Sequence, residues 1–245
     1  MKILLGVVYY EHAWAYGGPP RMVFDLAREL VQRGHEVTVC TTDALDQDKR
    51  IEQLEEVSHG VRVVRFRNLS NRVAFHLKIF LPLGMRSWLE SHVREYDVVH
   101  LFDARTLLNG WAAKAALEQG VPFFASVWGS LPRGDGWRAL IKDQYDRTFG
   151  LIHYKRAAGF LAQNDHEASL YAEYGAPRER IKIWHLGVDP KDFDPLPAPG
   201  AFRARLGLGP EVPLVLFVGR IHELKGLEPL LRAFEWRLLD ELGYG

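Results

Sequence analysis

Short apolar runs alternate with amphipathic stretches along most of the chain. The apolar runs have the length and composition of buried strands, and they fall at residues 3–8, 37–40, 61–66, 98–101, 123–127, 159–162, 181–184 and 214–218. Helical spacing of apolar residues occupies 19–33, 72–94, 107–118, 140–158, 165–174, 201–206 and 227–242. Asn164 and Glu167 form a capping-box pattern at the start of one of these helices. Because strands and helices alternate, the sequence predicts an α/β fold with a doubly wound parallel sheet.

A proline-rich segment divides this pattern. Residues 189–200 contain Pro190, Pro195, Pro197 and Pro199 and few apolar side chains, which is typical of a linker or a stiff crossover. We therefore expect a first domain at 1–188 with seven strands. Residues 201–245 then begin a second α/β domain with a short helix, one strand and a long helix. A piece of about 45 residues is below the size at which a domain usually forms its own core.

Composition narrows the class of protein. The chain of 245 residues is 47% hydrophobic, and its 31 basic side chains balance 31 acidic ones, so no overall field favours nucleic acid. The one cysteine, Cys40, lies in a predicted strand, which excludes a disulfide framework. The apolar start of the chain is too short for a membrane span and lacks the cleavage site of a signal peptide. We expect a cytoplasmic protein that binds no nucleic acid.

Two cations follow the last predicted strand. Arg220 stands at the carboxyl end of that strand, and Lys225 precedes Gly226 at the start of the long helix. Ligands of open α/β sheets bind at this edge, where helix N-termini attract anions. The pair therefore suits a diphosphate, although solvated surface charges are the usual alternative for such residues.

Two glycines mark the entry to the first helix. Gly17 and Gly18 precede Pro19 and Pro20, so they can form the turn that starts the helix, or they can let a phosphate approach the backbone. Their spacing differs from the Gly-x-Gly-x-x-Gly of dinucleotide sites, so a dinucleotide site is not indicated.

Four stretches of the chain, in order, resemble the family-4 glycosyltransferases, which are retaining enzymes of the GT-B fold. They are residues 16–37, 126–133, 186–193 and 219–226. The resemblance implies a nucleotide-sugar-dependent hexosyltransferase that needs neither a metal nor another cofactor. Its fold would be of the GT-B type, with a Rossmann-like N-terminal domain and an incomplete second Rossmann-like domain.

The resemblance implies roles for the residues just described. Arg220 and Lys225 would hold the donor diphosphate and neutralise the charge that develops on the leaving group. Gly17 and Gly18 would let the phosphates of the donor approach the backbone on the opposite wall of the cleft.

On the acceptor side, the resemblance points to Trp128, Gly129 and Ser130. Many members of the family have a histidine where Trp128 stands. A tryptophan cannot exchange a proton, but its face can stack on a sugar ring, and a core tryptophan is the alternative. No catalytic residue is assigned, and no role is given to the histidines near other strand ends, His12, His100 and His185.

The chain also departs from the family in its second domain. There the family has two glutamates, eight positions apart, that contact the donor sugar and the ribose, and no such pair follows Lys225. We therefore expect a truncated donor domain and a chain that has little or no transferase activity alone.

The expected function is transfer of a sugar from a nucleotide-sugar donor to a saccharide or lipid-linked acceptor, with retention, in cell-envelope, polysaccharide or glycolipid biosynthesis. One alternative is a non-catalytic remnant that binds a glycan, or that binds a second chain completing the donor domain. A nucleotide-sugar epimerase is a further alternative.

Residues 71–94 raise the question of a membrane surface. They combine apolar side chains with the basic residues Arg72, Lys78 and Arg86, a composition that suits peripheral contact with anionic lipid at the inner face of the membrane. The alternative is a helix packed on the sheet and interrupted near Pro82.

Overall fold

The computed structural model describes residues 1–132, 136–148, 155–219, 221 and 223–241. The chain divides into two compact units, Met1–Asp189 and Pro190–Gly245.

The first unit is built on an eight-stranded sheet with the strand order β3-β4-β2-β1-β5-β6-β7-β8. Its strands are β1 Lys2–Gly6, β2 Glu36–Thr42, β3 Glu55–Ser58, β4 Val61–Phe66, β5 Val98–Phe102, β6 Phe123–Ser126, β7 Gly159–Ala162 and β8 Ile181–Ile183. All neighbouring pairs are parallel except β3 with β4. The predicted α/β fold with a mostly parallel sheet is therefore confirmed.

Strand β3 was not predicted from the sequence. It is a short edge strand that turns back through His59 and Gly60 into β4, and its side chains alternate between exposed and half-buried positions. Val57 is 73% exposed. An edge strand with one neighbour needs no apolar run, so the pattern that marks buried strands is missing there.

Six helices of the first unit are described. They are α1 Gly18–Gln32, α2 Asn71–Leu77, α3 Met85–His92, α4 Leu107–Glu118, α5 Trp137–Thr148 and α6 Asp165–Glu173. The stretch 72–94 is two helices, because Lys78 ends α2 in the left-handed conformation and Gly84 starts α3 in the same conformation. The predicted helix 140–158 is α5; residues 155–158 are not helical, and 149–154 lie outside the described residues.

Two apolar clusters cover opposite faces of the sheet. Successive side chains of a strand point to opposite faces, so Ile3 and Leu5 of β1 join one cluster and Leu4 joins the other. The first cluster includes Val23 and Phe24 of α1, whereas the second includes residues of α3 and α4. Helices on both faces leave the carboxyl ends of the strands as the edge from which the loops emerge.

The second unit contains the helices α7 Ala201–Arg205 and α8 Leu227–Glu241. The strand predicted at 214–218 is absent: this segment pairs with none of the described residues. Its side chains are exposed, with Leu216 at 63% and Val218 at 84%. A strand needs a neighbour for its N–H and C=O groups, and the described part of this unit supplies none.

Candidate functional site at the carboxyl edge of the sheet

Three adjacent strands end in loops with strained backbone. His12 follows β1, Asp103 follows β5 and Trp128 follows β6, with φ values of 74°, 69° and 46°. Non-glycine residues adopt this left-handed region at a cost, and such residues collect at binding and catalytic sites. Only His59 and Lys78 share this property elsewhere in the described part of the chain. The strain therefore points to this edge as the candidate site.

The two glycines at the start of α1 differ from each other. Gly17 has φ 103° and ψ −142°, a conformation that is essentially restricted to glycine. Gly18 lacks a positive φ, and a Cβ built on it would meet no atom within 4 Å. The local turn therefore explains Gly17 but gives no reason for glycine at position 18.

The first turn of α1 offers few N–H groups to an anion. The N–H of Gly17 donates to the carbonyl of Trp14 at 3.0 Å. Pro19 and Pro20, as prolines, have no N–H to donate. A helix begins with four backbone N–H groups that have no acceptor within the helix, and here this leaves the N–H of Gly18 to face a ligand. An anion at this place would lie against a single backbone donor and an open surface.

The loop after β6 is held by side chains of α6. The N–H of Val127 donates to the hydroxyl of Tyr171 at 2.9 Å, and the N–H of Gly129 donates to Glu167 Oε1 at 2.6 Å. The other carboxylate oxygen of Glu167 accepts the N–H of Gln163 at 2.8 Å. Asn164 caps α6 as predicted, since its Oδ1 accepts the N–H of Glu167 at 2.9 Å. Glu167 is thus both a helix-start residue and a support of the loop after β6.

Arg105 holds the same loop from the other side. Its guanidinium donates to the carbonyls of Ser130 and Leu131 at 2.9 and 2.8 Å, and it forms a two-pronged ion pair with Asp146 at 2.8 and 3.0 Å. Both side chains of the pair are nearly buried, at 9% and 4% exposed. The hydroxyl of Tyr174 also donates to the carbonyl of Leu131 at 2.9 Å. These contacts fix the loop in place before any ligand arrives.

Trp128 packs on the core and is also partly exposed. Its ring lies 4.7 Å from that of Phe102 and packs against the apolar cluster beneath α1. The residue is nevertheless only partly buried, next to the exposed Gly129. Core packing therefore accounts for part of its surface, and the remainder is open at the carboxyl edge.

Sequence reasoning missed the carboxylate at the centre of this edge. Asp103 Oδ2 accepts a hydrogen bond from the hydroxyl of Tyr9 at 2.8 Å. Burial raises the pKa of Asp103, while hydrogen bonds from Tyr9 and Ser130 and the charge of Lys78 act in the opposite direction. An aspartate directly after a predicted strand was the available signal. The partner Tyr9 lies 94 positions away and could not be read from local pattern.

His100 belongs to β5 itself. Its Nε2 lies 2.8 Å from the hydroxyl of Ser126, and its ring lies 4.1 Å from that of Phe102 and 6.1 Å from that of Trp184. Burial lowers the pKa of His100 to about 3. The imidazole is therefore neutral at physiological pH and packs within the sheet layer.

The second unit carries the other predicted site residues. Lys225 ends a short 3₁₀ turn, Glu223–Lys225, and is exposed. Gly226 follows with φ 65°, and its carbonyl accepts the N–H of Leu230 in the first turn of α8. Lys225 thus lies just before a helix, as predicted. Arg220 lies outside the described residues.

Potential metal ligands are dispersed. Groups of three His, Cys, Asp or Glu residues that could hold a metal ion are absent from the described part of the chain. Asp46 and Asp48 form an Asp-x-Asp pair after β2. Asp46 Oδ1 accepts the N–H groups of Asp48 and Lys49 at 2.9 and 2.7 Å, and Asp48 pairs with Arg72 at 3.1 Å. These two carboxylates serve a turn and an ion pair.

Among the helices within the described ranges, none is long and apolar enough to cross a membrane.

The mostly parallel sheet is of the α/β kind found in solved proteins of the GT-B fold, and strained loops follow its central strands. The chain belongs to Glycosyltransferase Family 4, since the model of that family matches residues 16–192. This confirms the family resemblance drawn from the sequence.

Known proteins show the same relationship. A D-inositol 3-phosphate glycosyltransferase of Xylanimonas cellulosilytica is 31% identical, over 89% of this chain and 55% of its own length. Sucrose-phosphate synthase from Thermosynechococcus elongatus shares the fold with a TM-score of 0.58 and 19% identity, over 96% of this chain and 59% of that one. Anabaena HepE, solved with UDP and glucose, has a TM-score of 0.52 and 16% identity, over 84% and 50%. The chain spans about half the length of the curated relatives it matches.

Proposed function

We propose that this chain carries the acceptor side of a retaining glycosyltransferase, which transfers a sugar from a nucleotide-sugar donor to a saccharide or lipid-linked acceptor. The reaction uses neither a metal nor another cofactor and serves cell-envelope, polysaccharide or glycolipid biosynthesis. Family membership supports the reaction class. The related structure of Anabaena HepE with UDP and glucose supports the donor class.

The open surface at Gly18 carries the proposal. Neither the backbone conformation nor neighbouring atoms require glycine there, and the position lies at the N-terminus of α1. A ligand that packs directly on the backbone explains why a side chain is absent. A phosphate of the donor suits this place because the N–H of Gly18 and the helix dipole both favour an anion.

The second unit supplies the charge for the leaving group. When the bond between the sugar and the donor diphosphate breaks, negative charge develops on the diphosphate. Arg220 and Lys225 neutralise that charge in the proposed reaction, which is electrostatic stabilisation of the transition state. The exposed position of Lys225 before α8 suits this role.

The exposed apolar surface of the second unit favours a partner that completes it. Leu216 and Val218 of the unpaired segment are exposed, and so are Leu231 and Phe234 of α8, at 60% and 49%. Apolar side chains exposed on both segments favour an interface. We therefore expect the chain to turn over slowly or not at all until a further polypeptide segment covers this surface.

The α2 region supports peripheral contact with anionic lipid. Five apolar side chains on and beside α2 are exposed: Leu69, Val73, Leu77, Ile79 and Leu83. Exposed basic residues, Arg72 and Arg86, flank them, although each pairs with an acidic residue of the same surface. An apolar patch with a basic rim is the composition that rests on a membrane surface.

Equilibrium dialysis of the purified chain against labelled nucleotide-sugars tests the donor class. We expect one nucleotide-sugar to bind, with little product formed in the presence of sugar or lipid-linked acceptors. A folded chain that binds none of them would contradict the proposal. Formation of an epimerised nucleotide-sugar without an acceptor would instead favour the epimerase, and rapid transfer would contradict the expected dependence on a further segment.

A further inference from the structure

Trp14 departs from the usual relation between side-chain size and burial. The segment between β1 and α1 buries Ala13 and Tyr16, at 0% and 5% exposed, but leaves Trp14 at 43% exposed. Among the described residues of the first unit, Trp14 is the one tryptophan or phenylalanine that is exposed. A tryptophan in this position adds little to the core, so packing alone does not account for its large ring.

The backbone around Trp14 is fixed. Its N–H donates to the carbonyl of His12 at 2.8 Å, and its carbonyl accepts the N–H of Gly17 at 3.0 Å. His12 has φ 74°, a conformation that costs energy for a residue other than glycine. Such conformations persist where the surrounding structure holds them, and they cluster at binding sites. The position of Trp14 is therefore set before a ligand arrives.

The ring of Trp14 is also oriented. Phe24 of α1, which is 8% exposed, lies 5.9 Å away between ring centroids, with 81° between the ring planes. A perpendicular neighbour covers at most one of the two faces of the indole. Phe24 is itself contacted by the ring of His59, at 5.5 Å and 87°. Trp14 therefore presents a flat apolar surface on a buried base.

This surface lies near Gly18, where the proposed donor phosphate packs. Trp14 and Gly18 are four residues apart, so their Cα atoms are at most about 14 Å apart, and the 3₁₀ turn Trp14–Tyr16 shortens this distance. In a nucleotide-sugar, the sugar is joined directly to the terminal phosphate. The C–H groups on the face of its ring suit an aromatic surface, while its hydroxyl groups point outward.

We propose that Trp14 is the stacking surface for the sugar ring of the nucleotide-sugar donor. The inference rests on the proposed function, because it assumes a donor phosphate at Gly18. The segment before α1 then recognises two parts of one ligand: the N–H of Gly18 meets the phosphate, and Trp14 meets the sugar. A free nucleoside diphosphate lacks the part that Trp14 contacts.

The test compares Trp14→Leu with Trp14→Phe and His59→Asn in the full chain. Leucine keeps an apolar side chain beside Phe24 but removes the flat surface, whereas phenylalanine keeps a ring. Asparagine tolerates the positive φ of His59 and removes the other ring that contacts Phe24, so His59→Asn is the matched control. The probes for equilibrium dialysis are UDP-glucose and GDP-mannose, each compared with its free diphosphate, UDP or GDP.

For a nucleotide-sugar that wild type binds, Trp14→Leu should lose about ten-fold in affinity, because the ring contact is removed. Trp14→Phe and His59→Asn should stay within about three-fold of wild type. Affinity for the matching diphosphate should stay at the wild-type value in all three variants. An equal loss for nucleotide-sugar and diphosphate would overturn the proposal, because the effect would then lie at the phosphate. An equal loss in His59→Asn would also overturn it, because the effect would then run through Phe24.

The same samples separate this inference from the proposed function. Wild-type affinity for the nucleotide-sugar in a folded Trp14→Leu variant would overturn only the role of Trp14. A folded wild-type chain that binds neither nucleotide-sugar would contradict both. If Trp14→Leu does not fold, the indole N–H signal of Trp14 in the NMR spectrum of wild type, assigned by its loss in Trp14→Phe, replaces it. That signal should shift more with the nucleotide-sugar than with the diphosphate, and equal shifts would overturn the proposal.

Discussion

Replacing each glycine of the α1 turn by alanine separates a structural role from a binding role. Gly17→Ala forces a Cβ into φ 103°, ψ −142°, which costs about 1–3 kcal/mol. Gly18→Ala meets no atom within 4 Å and restricts the unfolded chain, so it should stabilise the fold by about 0.4–1 kcal/mol. The two neighbouring substitutions are therefore expected to change the free energy of unfolding in opposite directions.

Urea titration followed by circular dichroism measures the stability of both variants. Equilibrium dialysis measures how tightly each variant binds the nucleotide-sugar that wild type binds. Gly18→Ala should lose at least about ten-fold in affinity, because the new methyl group occupies the surface on which the phosphate would pack. Wild-type affinity in a well-folded Gly18→Ala protein would refute the assignment of the phosphate to this surface. Wild-type stability of Gly17→Ala would refute the backbone reasoning.

Three other predictions concern pH, a buried ion pair and lipid. Below pH 6.5 the unfolded chain binds a proton at His100 that the folded chain excludes, because burial lowers the folded pKa to about 3. The free energy of unfolding of wild type should therefore fall by about 1.4 kcal/mol at pH 5.5 relative to that of His100→Gln. If urea titrations show the same change with pH for both proteins, the prediction is contradicted. Asp146→Asn should lower the free energy of unfolding by about 3–5 kcal/mol, because it leaves the buried Arg105 guanidinium without its carboxylate. The double variant Arg105→Met with Asp146→Leu should recover most of this loss. A double variant as unstable as Asp146→Asn would contradict the prediction. In a flotation assay the wild-type chain should rise with anionic vesicles and the Leu77→Glu variant should not. Wild-type protein that stays in solution would contradict the proposed lipid contact.

The sheet could be predicted because parallel strands buried on both faces consist of apolar runs. The seven strands predicted for the first domain all occur in the first unit. The edge strand β3 could not be predicted because Glu55–Ser58 has one neighbour and no such run. The prediction of a strand at 214–218 was wrong for the opposite reason, since these residues have the composition of a strand but pair with none of the described residues. An apolar run marks a segment that suits burial, whereas its pairing and its actual burial depend on residues far away in the sequence.

The site was less predictable than the fold. Gly17, Gly18 and Trp128 could be singled out because each belongs to a short local motif beside a predicted strand or helix. Arg105 was missed because its role depends on Asp146, which is 41 positions away in the sequence. Local pattern therefore finds the residues that shape a turn, but it does not find the residues that reach the turn from other elements.

The loop after β6 has its shape and its chemistry encoded in different places. Its backbone is held by Arg105 and by side chains of α6, while Trp128 contributes a partly exposed ring that lines the acceptor in the proposed function. Under the proposed function, a substitution that keeps the packing of position 128 on Phe102 should change acceptor preference, while Arg105 and α6 still hold the backbone of the loop.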